Sequence, residues 1–187
     1  MKRAEVARYW EANAETWARH VRAGNDIYRD GLNTPAFLDM LPPVRGLRGL
    51  DIGCGEGSNT RQLARLGATM HAIDVAPTFI RLACDAETAE PLGVTYIAGD
   101  GTDLPFGAGS FDFATAFMSM MDMADRAAPF ARQNGFCDRA ASSSSRSCIR
   151  VSYRRTAAYC GSPTAQRERS RSPAISMRPM GGSIHGG

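Results

Sequence analysis

Apolar residues recur along the chain with two alternating periods, one typical of helices and one typical of strands. The first stripe has three- and four-residue steps and predicts an N-terminal helix through Val6, Trp10, Ala14, Trp17 and Val21. We expect Gly24 and Asn25 to end this helix. A second helix is predicted from Pro35 to Met40, because proline favours the first helical turn and Pro42 follows as a stop.

The segment from residue 49 to residue 117 repeats an order of strand, helix and strand. Strands are predicted at 49–52, 69–73, 94–97 and 111–117, and helices at 60–66 and 79–87. Strands that alternate with helices form parallel, doubly wound sheets with helices on both faces. We therefore predict an α/β fold with a mostly parallel, Rossmann-like sheet. Its ligands should bind beyond the carboxyl ends of the strands.

A glycine-rich turn follows the first predicted strand and leads into a helix. Asp51 lies in that strand, and Gly53, Gly55 and Gly57 alternate with other residues after it. Glycine lets the backbone turn tightly and lets a ligand reach main-chain amides, where a side chain would intrude. A further acid, Asp74, lies about 21 residues beyond Gly53. This spacing predicts a nucleotide-type site.

The spacing of the glycines also separates two classes of nucleotide enzyme. Dinucleotide enzymes place their third glycine one residue later than Gly57, at the position that Ser58 occupies here. The segment 50–57, Leu-Asp-Ile-Gly-Cys-Gly-Glu-Gly, resembles the first motif of the class I S-adenosylmethionine-dependent methyltransferases. The resemblance continues at Asp74 and at 99–101, Gly-Asp-Gly, and extends over about residues 45 to 123. It is closest to the small-molecule methyltransferases.

This resemblance implies S-adenosylmethionine as the cofactor and a set of residues that hold it. Asp74 would bind the ribose hydroxyls, Asp100 would contact adenine, and Asp51 would orient the glycine loop and the cofactor's amino group. Asp74 and Asp100 also have plain alternatives as a helix cap and a turn residue. The expected cofactor-binding residues are Asp51, Gly53, Cys54, Gly55, Gly57, Asp74, Val75, Asp100, Gly101, Phe117 and Met118.

The acceptor side of the site is less well marked in the sequence. The methyl group of a sulfonium is already activated, so an enzyme mainly holds the acceptor in line and excludes water; we assign no catalytic residue. We expect structural roles for His20 and His71. Tyr9 and Tyr28 are the residues that we predict in an acceptor wall or lid. The predicted reaction transfers a methyl group to a small-molecule acceptor in the cytoplasm, without a metal.

The last third of the chain differs sharply in charge from the rest. Residues 139–187 hold nine arginines and one acid, Glu168, whereas residues 1–138 hold 18 of the 19 acidic groups. A basic tail suits nonspecific phosphate contacts, but this one lacks interleaved aromatic residues, and we do not expect nucleic acid as a partner. Nucleic-acid binding through this tail and NAD(P)-dependent oxidoreduction are the alternative functions. No apolar run approaches the roughly 20 residues of a membrane-spanning helix.

A shift of reading frame is a second explanation for the tail. The codons of residues 129–151 can be read one nucleotide out of frame, with their third bases chosen to suit. They then encode ALREAERVLRPGGFLQFSILHPC, which supplies the turn and the apolar strand that the family has there. We therefore predict a helical cap at 1–44, a truncated cofactor-binding core at 45–128 and a disordered, Arg/Ser-rich tail at 129–187. The C-terminal strands should be missing or disordered, and little regular structure is expected after residue 123.

Overall fold

The computed structural model of the chain describes residues 3–107 and 109–123 and two strands at 148–151 and 159–160. Helix α1 (Arg3–Arg22) opens the fold, and Gly24 follows it in the left-handed conformation with φ +68°. A π-helical turn (Arg29–Asn33) then leads directly into the short helix α2 (Thr34–Asp39). The π-helical turn is a feature that the hydrophobic pattern did not predict.

The centre of the fold is a sheet in the order β3-β2-β1-β4-β5-β6. Its strands are β1 (Arg48–Ile52), β2 (Thr69–Asp74), β3 (Thr95–Ala98), β4 (Phe113–Thr115), β5 (Cys148–Val151) and β6 (Tyr159–Cys160). Helices α3 (Ser58–Arg65) and α4 (Pro77–Ala89) connect the first three strands. All pairs are parallel except β5 with β6, so the predicted parallel, doubly wound, Rossmann-like sheet is confirmed.

The strand order reverses on either side of β1. Strands β2 and β3 lie on one side of β1, and β4 lies on the other, which makes the carboxyl end of β1 the switch point of the sheet. The chain therefore crosses the sheet between β3 and β4. A crevice forms at such a switch point, because the connections that leave the two neighbouring strands run in opposite directions.

Two apolar clusters cover the two faces of this sheet. On one face, Phe37 of α2 and Leu63 of α3 pack against Met70 and Phe113, all of them buried. On the other face, the described cover comes from the connection between β3 and β4, which carries Leu104 and Phe111. Each cluster joins residues that are far apart in the sequence, so both contribute to the position of the strand ends.

Helix α1 packs on α4, at the side of the sheet. Ala14 and Ala18 are buried against Phe79 and Leu82, and Trp10 packs at the edge of this cluster. Alanine on the contact face lets the two helices approach closely. The predicted apolar stripe is therefore the surface that fixes α1 next to the sheet.

Two predictions about the later strands are wrong. Strand four was expected over 111–117 but covers only Phe113–Thr115; the Asp112 carboxylate accepts the Arg48 N–H at 2.9 Å, and Met118 turns the chain with φ +56°. The C-terminal strands were expected to be missing or disordered, yet β5 pairs with β4, with Ala114 opposite Arg150. That little regular structure follows residue 123 stays a prediction. Most of the predicted 129–187 tail lies outside the described residues. Among those described, no helix is long and apolar enough to cross a membrane.

Candidate functional site

A cavity of about 260 Å³ lies at the carboxyl ends of the central strands. Segments from α1, the π-helical turn, the glycine turn and the ends of β2, β3 and β4 all contribute to its wall. The described lining residues are Arg3, Val6, Trp10, Trp17, Arg29, Asp51, Gly53, Cys54, Gly55, Glu56, Asn59, Asp74, Val75, Asp100, Gly101, Thr102, Phe117, Met118, Ser119, Met121, Asp122 and Met123. The cavity is thus located where the switch point of the sheet predicts a ligand.

The glycine turn is held against β2 by backbone hydrogen bonds. The N–H groups of Gly53 and Cys54 both donate to the Ile73 carbonyl, at 2.8 and 3.2 Å. Gly53 has φ +73°, and a Cβ there would overlap the Ser119 side chain, so both the conformation and the space require glycine. Burial, followed by nearby carboxylates, raises the pKa of the Cys54 thiol, which therefore stays protonated.

Asp51 is a buried carboxylate at the floor of the cavity. It is 2% exposed, and it accepts hydrogen bonds from the hydroxyls of Thr60, at 2.6 Å, and Thr115, at 2.9 Å. Burial raises the pKa of Asp51 to about 6, against the opposing effect of the two hydroxyls. Asp51 was expected to orient the glycine loop, but its side chain instead ties β1 to α3 and β4.

Asp74 is the carboxylate that orients the glycine loop. Its Oδ2 accepts the Gly55 N–H at 2.9 Å, and its Oδ1 accepts the Ala76 N–H at 2.9 Å. Burial raises the pKa of Asp74, and these amides oppose that shift. The helix cap weighed for Asp74 is not formed, because Ala76 is the N-cap residue of α4 and that helix has no side-chain cap bond from it. Asp74 instead binds the Gly55 and Ala76 amides and lines the cavity.

Asp100, which follows β3, also accepts hydrogen bonds from its own turn and lines the cavity. Its Oδ1 accepts both the N–H and the hydroxyl of Thr102 at 2.7 Å, as in a turn, while its Oδ2 lies 3.7 Å from the Arg3 guanidinium. Gly101 follows, where a Cβ would overlap Ile52. Asp51, Asp74 and Asp100 thus place a carboxylate at or near the carboxyl end of each of three neighbouring strands, all in one cavity wall.

Two cationic side chains complete the charge pattern of the described cavity wall. Arg3 comes from α1, and Arg29 comes from the π-helical turn. The Arg29 side chain is only 11% exposed and lies 3.6 Å from the buried Glu56 carboxylate, whose other oxygen accepts the Ser58 N–H and hydroxyl. The cavity therefore offers both acidic and basic partners to a zwitterionic ligand.

The structure brings ten of the eleven predicted cofactor residues into one cavity wall. Gly57 is the exception: it has φ +87° and packs against the Tyr96 ring at the back of the turn. The two predicted acceptor residues also lie outside the cavity. Tyr28 is 71% exposed at the start of the π-helical turn, and Tyr9 borders a shallow groove on α1.

Neither histidine that we expected to be structural contributes to the cavity. The His71 ring packs edge-on against Phe111 at 5.4 Å between ring centroids, and the His20 ring lies 6.3 Å from that of Trp17. Arg29, Glu56 and the later part of the loop after β4 were not predicted as cavity residues; that part contributes Ser119, Met121, Asp122 and Met123. Glu56 lies within the glycine motif, but no local pattern marks Arg29 or this part of the loop, because they reach the cavity through contacts between segments far apart in the chain.

Comparison with known proteins identifies the segment around the cavity. Residues 50–134 match the family model described as methyltransferase domain. The chain is 34% identical to a magnesium-protoporphyrin O-methyltransferase of Rhodobacter capsulatus, over 64% of this chain and 57% of that protein. It is 42% identical to a nocamycin O-methyltransferase of Saccharothrix syringae, over 51% of this chain and 36% of that protein. The chain thus spans less than two thirds of either relative.

A solved structure agrees with these sequence matches. An S-adenosylmethionine-dependent methyltransferase from Mesorhizobium loti superimposes with a TM-score of 0.52 at 28% identity, over 62% of this chain and 51% of that one. The family match covers the glycine turn and the loops after β2, β3 and β4, which together form most of the cavity wall. Residues 50–134 of this chain are therefore similar, in sequence and in fold, to S-adenosylmethionine-dependent methyltransferases.

Proposed function

We propose that this chain binds S-adenosylmethionine in the cavity at the carboxyl ends of β1, β2 and β3 and transfers its methyl group to a small-molecule acceptor. The observation that carries the proposal is the row of three acids, Asp51, Asp74 and Asp100, beside a glycine turn with accessible backbone. Two relatives that the chain resembles are named O-methyltransferases, which makes an oxygen acceptor the first class to test.

The residues of the cavity suit the separate parts of this cofactor. Asp74 and Asp100 retain lone pairs that can accept hydroxyl and amino groups, which fits the ribose and the adenine. Arg29 faces the same cavity and suits the carboxylate of the methionine part, whereas Asp51 suits its ammonium group. The volume lies slightly below the roughly 300 to 1,000 Å³ typical of small-molecule sites, which favours a closely packed ligand.

Positioning and exclusion of water are the tasks that this geometry supports. The cofactor supplies a methyl group on a sulfonium, which needs no further activation. The rings of Trp10 and Trp17, which line the cavity, offer apolar faces that attract a sulfonium cation and displace water. Phe117 and Met118, at the end of β4, would hold the adenosyl part from the opposite side. An acceptor oxygen is then held in line with the methyl carbon.

The acceptor side is proposed from the aromatic residues of α1. Trp10 and Trp17 line both the cavity and the shallow groove that Tyr9 borders, so an acceptor entering along α1 would meet these rings first. Tyr9 remains a candidate acceptor contact on this basis. Tyr28 remains a candidate acceptor contact only because it belongs to the exposed segment next to Arg29.

Equilibrium dialysis with methyl-labelled S-adenosylmethionine tests the proposal. The wild-type chain should bind the label in competition with S-adenosylhomocysteine and not with NAD. Asp74→Asn should weaken binding by about tenfold or more, because it removes a charged hydrogen-bond acceptor from the ribose position and from the Gly55 amide.

Asp85→Asn is the matched control, since Asp85 is exposed on α4 and, among the described residues, forms a surface pair with Arg81 alone. Binding by this variant should equal that of the wild type. Competition by NAD, or equal binding by Asp74→Asn, would contradict the proposed site. Release of S-adenosylhomocysteine in the presence of phenolic or carboxylic acceptors then tests transfer itself.

A further inference from the structure

The π-helical turn places its first residue, Arg29, in the cavity wall and its last residue, Asn33, against Met118 of that wall. The Thr34 N–H donates to the Arg29 carbonyl, which closes the wide i to i+5 ring of a π-helix. Arg29 lines the cavity, and Asn33, four residues later, is 8% exposed and lies at the boundary with α2. Turns of this kind are rare in proteins and frequently occur at functional sites.

The Asn33 side chain contacts the loop that follows β4. Its Nδ2 donates to the Met118 Sδ at 3.7 Å, a weak hydrogen bond that joins residues 85 positions apart in the sequence. Met118 is a lining residue of the cavity and, among the described residues other than glycine, the one with positive φ, at +56°. A strained backbone of this kind persists only where surrounding contacts determine it.

The neighbours of Met118 are fixed on both sides. The Phe117 ring packs on Phe37 of α2, with 4.9 Å between the ring centroids, and the Ser119 hydroxyl donates to the Ile52 carbonyl at 2.6 Å. These two contacts hold the backbone around Met118, but neither sets the direction of its side chain. The bond from Asn33 is the described polar contact that reaches the sulfur itself.

We propose that Asn33 is a positioning residue for the cofactor: its amide holds the Met118 thioether in the cavity wall, and it acts on binding through Met118. This inference rests on the proposed function. It assigns the π-helical turn a task beyond presenting Arg29, because the same turn then fixes the wall that faces the ligand. An apolar residue of similar size at position 33 would fill the space but leave the Met118 side chain free to change rotamer.

Binding of S-adenosylhomocysteine by calorimetry tests the inference in a cycle of variants. Asn33→Leu should weaken binding about three- to tenfold, the usual effect of one lost hydrogen bond. Met118→Leu removes the sulfur, so adding Asn33→Leu to that variant should have little further effect on binding. A purely structural Asn33 would give the same loss in both backgrounds. Asn25→Leu, an exposed asparagine outside the cavity wall, is the matched control and should bind as the wild type does.

The methyl NMR signal of Met118, identified by its loss in Met118→Leu, gives a second readout on the ligand-free chain. It should shift in Asn33→Leu and stay unchanged in Asn25→Leu. If the Met118 signal does not shift in Asn33→Leu, or if this variant binds S-adenosylhomocysteine as tightly as a wild-type chain that does bind it, this inference alone is overturned. A wild-type chain that binds no S-adenosylhomocysteine overturns the proposed function and this inference with it.

Discussion

At the scale of single residues, the Asp51 carboxylate illustrates how a group that we propose for binding can oppose stability. It is buried, its pKa is raised to about 6, and its hydrogen-bond partners are the hydroxyls of Thr60 and Thr115. A carboxylate in an unfolded chain has a pKa of about 3.9. The Asp51 carboxyl group therefore binds its proton more tightly in the folded state than in the unfolded state. The resulting stabilisation is complete below about pH 3.9 and is lost as the pH rises through 6.

Asp51→Asn should therefore stabilise the chain at pH 8 while it weakens binding of the cofactor. The ionised carboxylate costs about 3 kcal/mol at that pH, and an amide of the same shape avoids part of this cost, so we expect a gain of about 1–3 kcal/mol. Chemical denaturation of both proteins between pH 4 and pH 8 measures the difference, which should shrink towards pH 4. A variant that is less stable than the wild type at pH 8 would contradict this interpretation of Asp51.

At the scale of elements, the contact between α1 and α4 controls how α1 covers the cavity. The residue before α4, Ala76, provides no side-chain cap for that helix. Glu11 of α1 supplies one instead, since its carboxylate accepts the Thr78 N–H at 3.0 Å and the Thr78 hydroxyl at 2.7 Å. The N–H bond from Thr78 is the largest cause of the lowered pKa of Glu11. One residue thus caps α4 and fixes the helix that carries Trp10 and Trp17.

Glu11→Ala should lower the free energy of unfolding by about 1 kcal/mol, as the loss of a helix cap does. It should also increase the dissociation rate of S-adenosylhomocysteine in stopped-flow experiments, because α1 would be held less firmly over the cavity. Glu15→Ala is the control: Glu15 pairs with Arg81 on the exposed surface, where ion pairs contribute little. Equal effects of the two substitutions on dissociation would argue against this role for Glu11.

The elements that the sequence predicts well are those with local determinants. The glycine turn after β1 and the acid that ends β2 have characteristic spacing, and alternating periods mark the strands and helices around them. The π-helical turn has no such pattern, because Asn33 and Arg29 are fixed by contacts with Met118 and Glu56. Tyr28 was predicted at the acceptor side from its position in a loop, but loop position alone does not determine which way a side chain points.

At the scale of the whole molecule, the sheet continues beyond β4. Without the C-terminal strands, which were expected to be missing or disordered, the edge of β4 would be exposed and would favour association between chains. In the structure, Ala114 and Thr115 pair with Arg150 and Val151 of β5. A strand thus occupies this edge, although residues 139–187 are rich in arginine and serine and poor in apolar residues.

The reading-frame hypothesis makes a further prediction about this edge. The restored sequence places FLQFSIL at 142–148, an apolar run that ends where β5 begins. A chain with residues 129–151 replaced by the restored sequence should therefore bury more apolar surface beside β4 and unfold at a temperature several degrees higher. Thermal unfolding of both proteins tests this. The hypothesis would be contradicted by a gene sequence in which no change of reading frame near codons 127–129 restores these residues. A restored chain of lower stability would also contradict it.

We propose that the ends of β1, β2 and β3 hold S-adenosylmethionine, and an NMR titration of the ¹⁵N-labelled chain with S-adenosylhomocysteine tests this at the residues concerned. We expect saturable shifts in the amide signals of Gly53, Gly55, Val75 and Gly101, with smaller changes at Gly24 and Gly93, which lie outside the cavity wall. Shifts confined to other parts of the chain, or none at millimolar ligand, would contradict it.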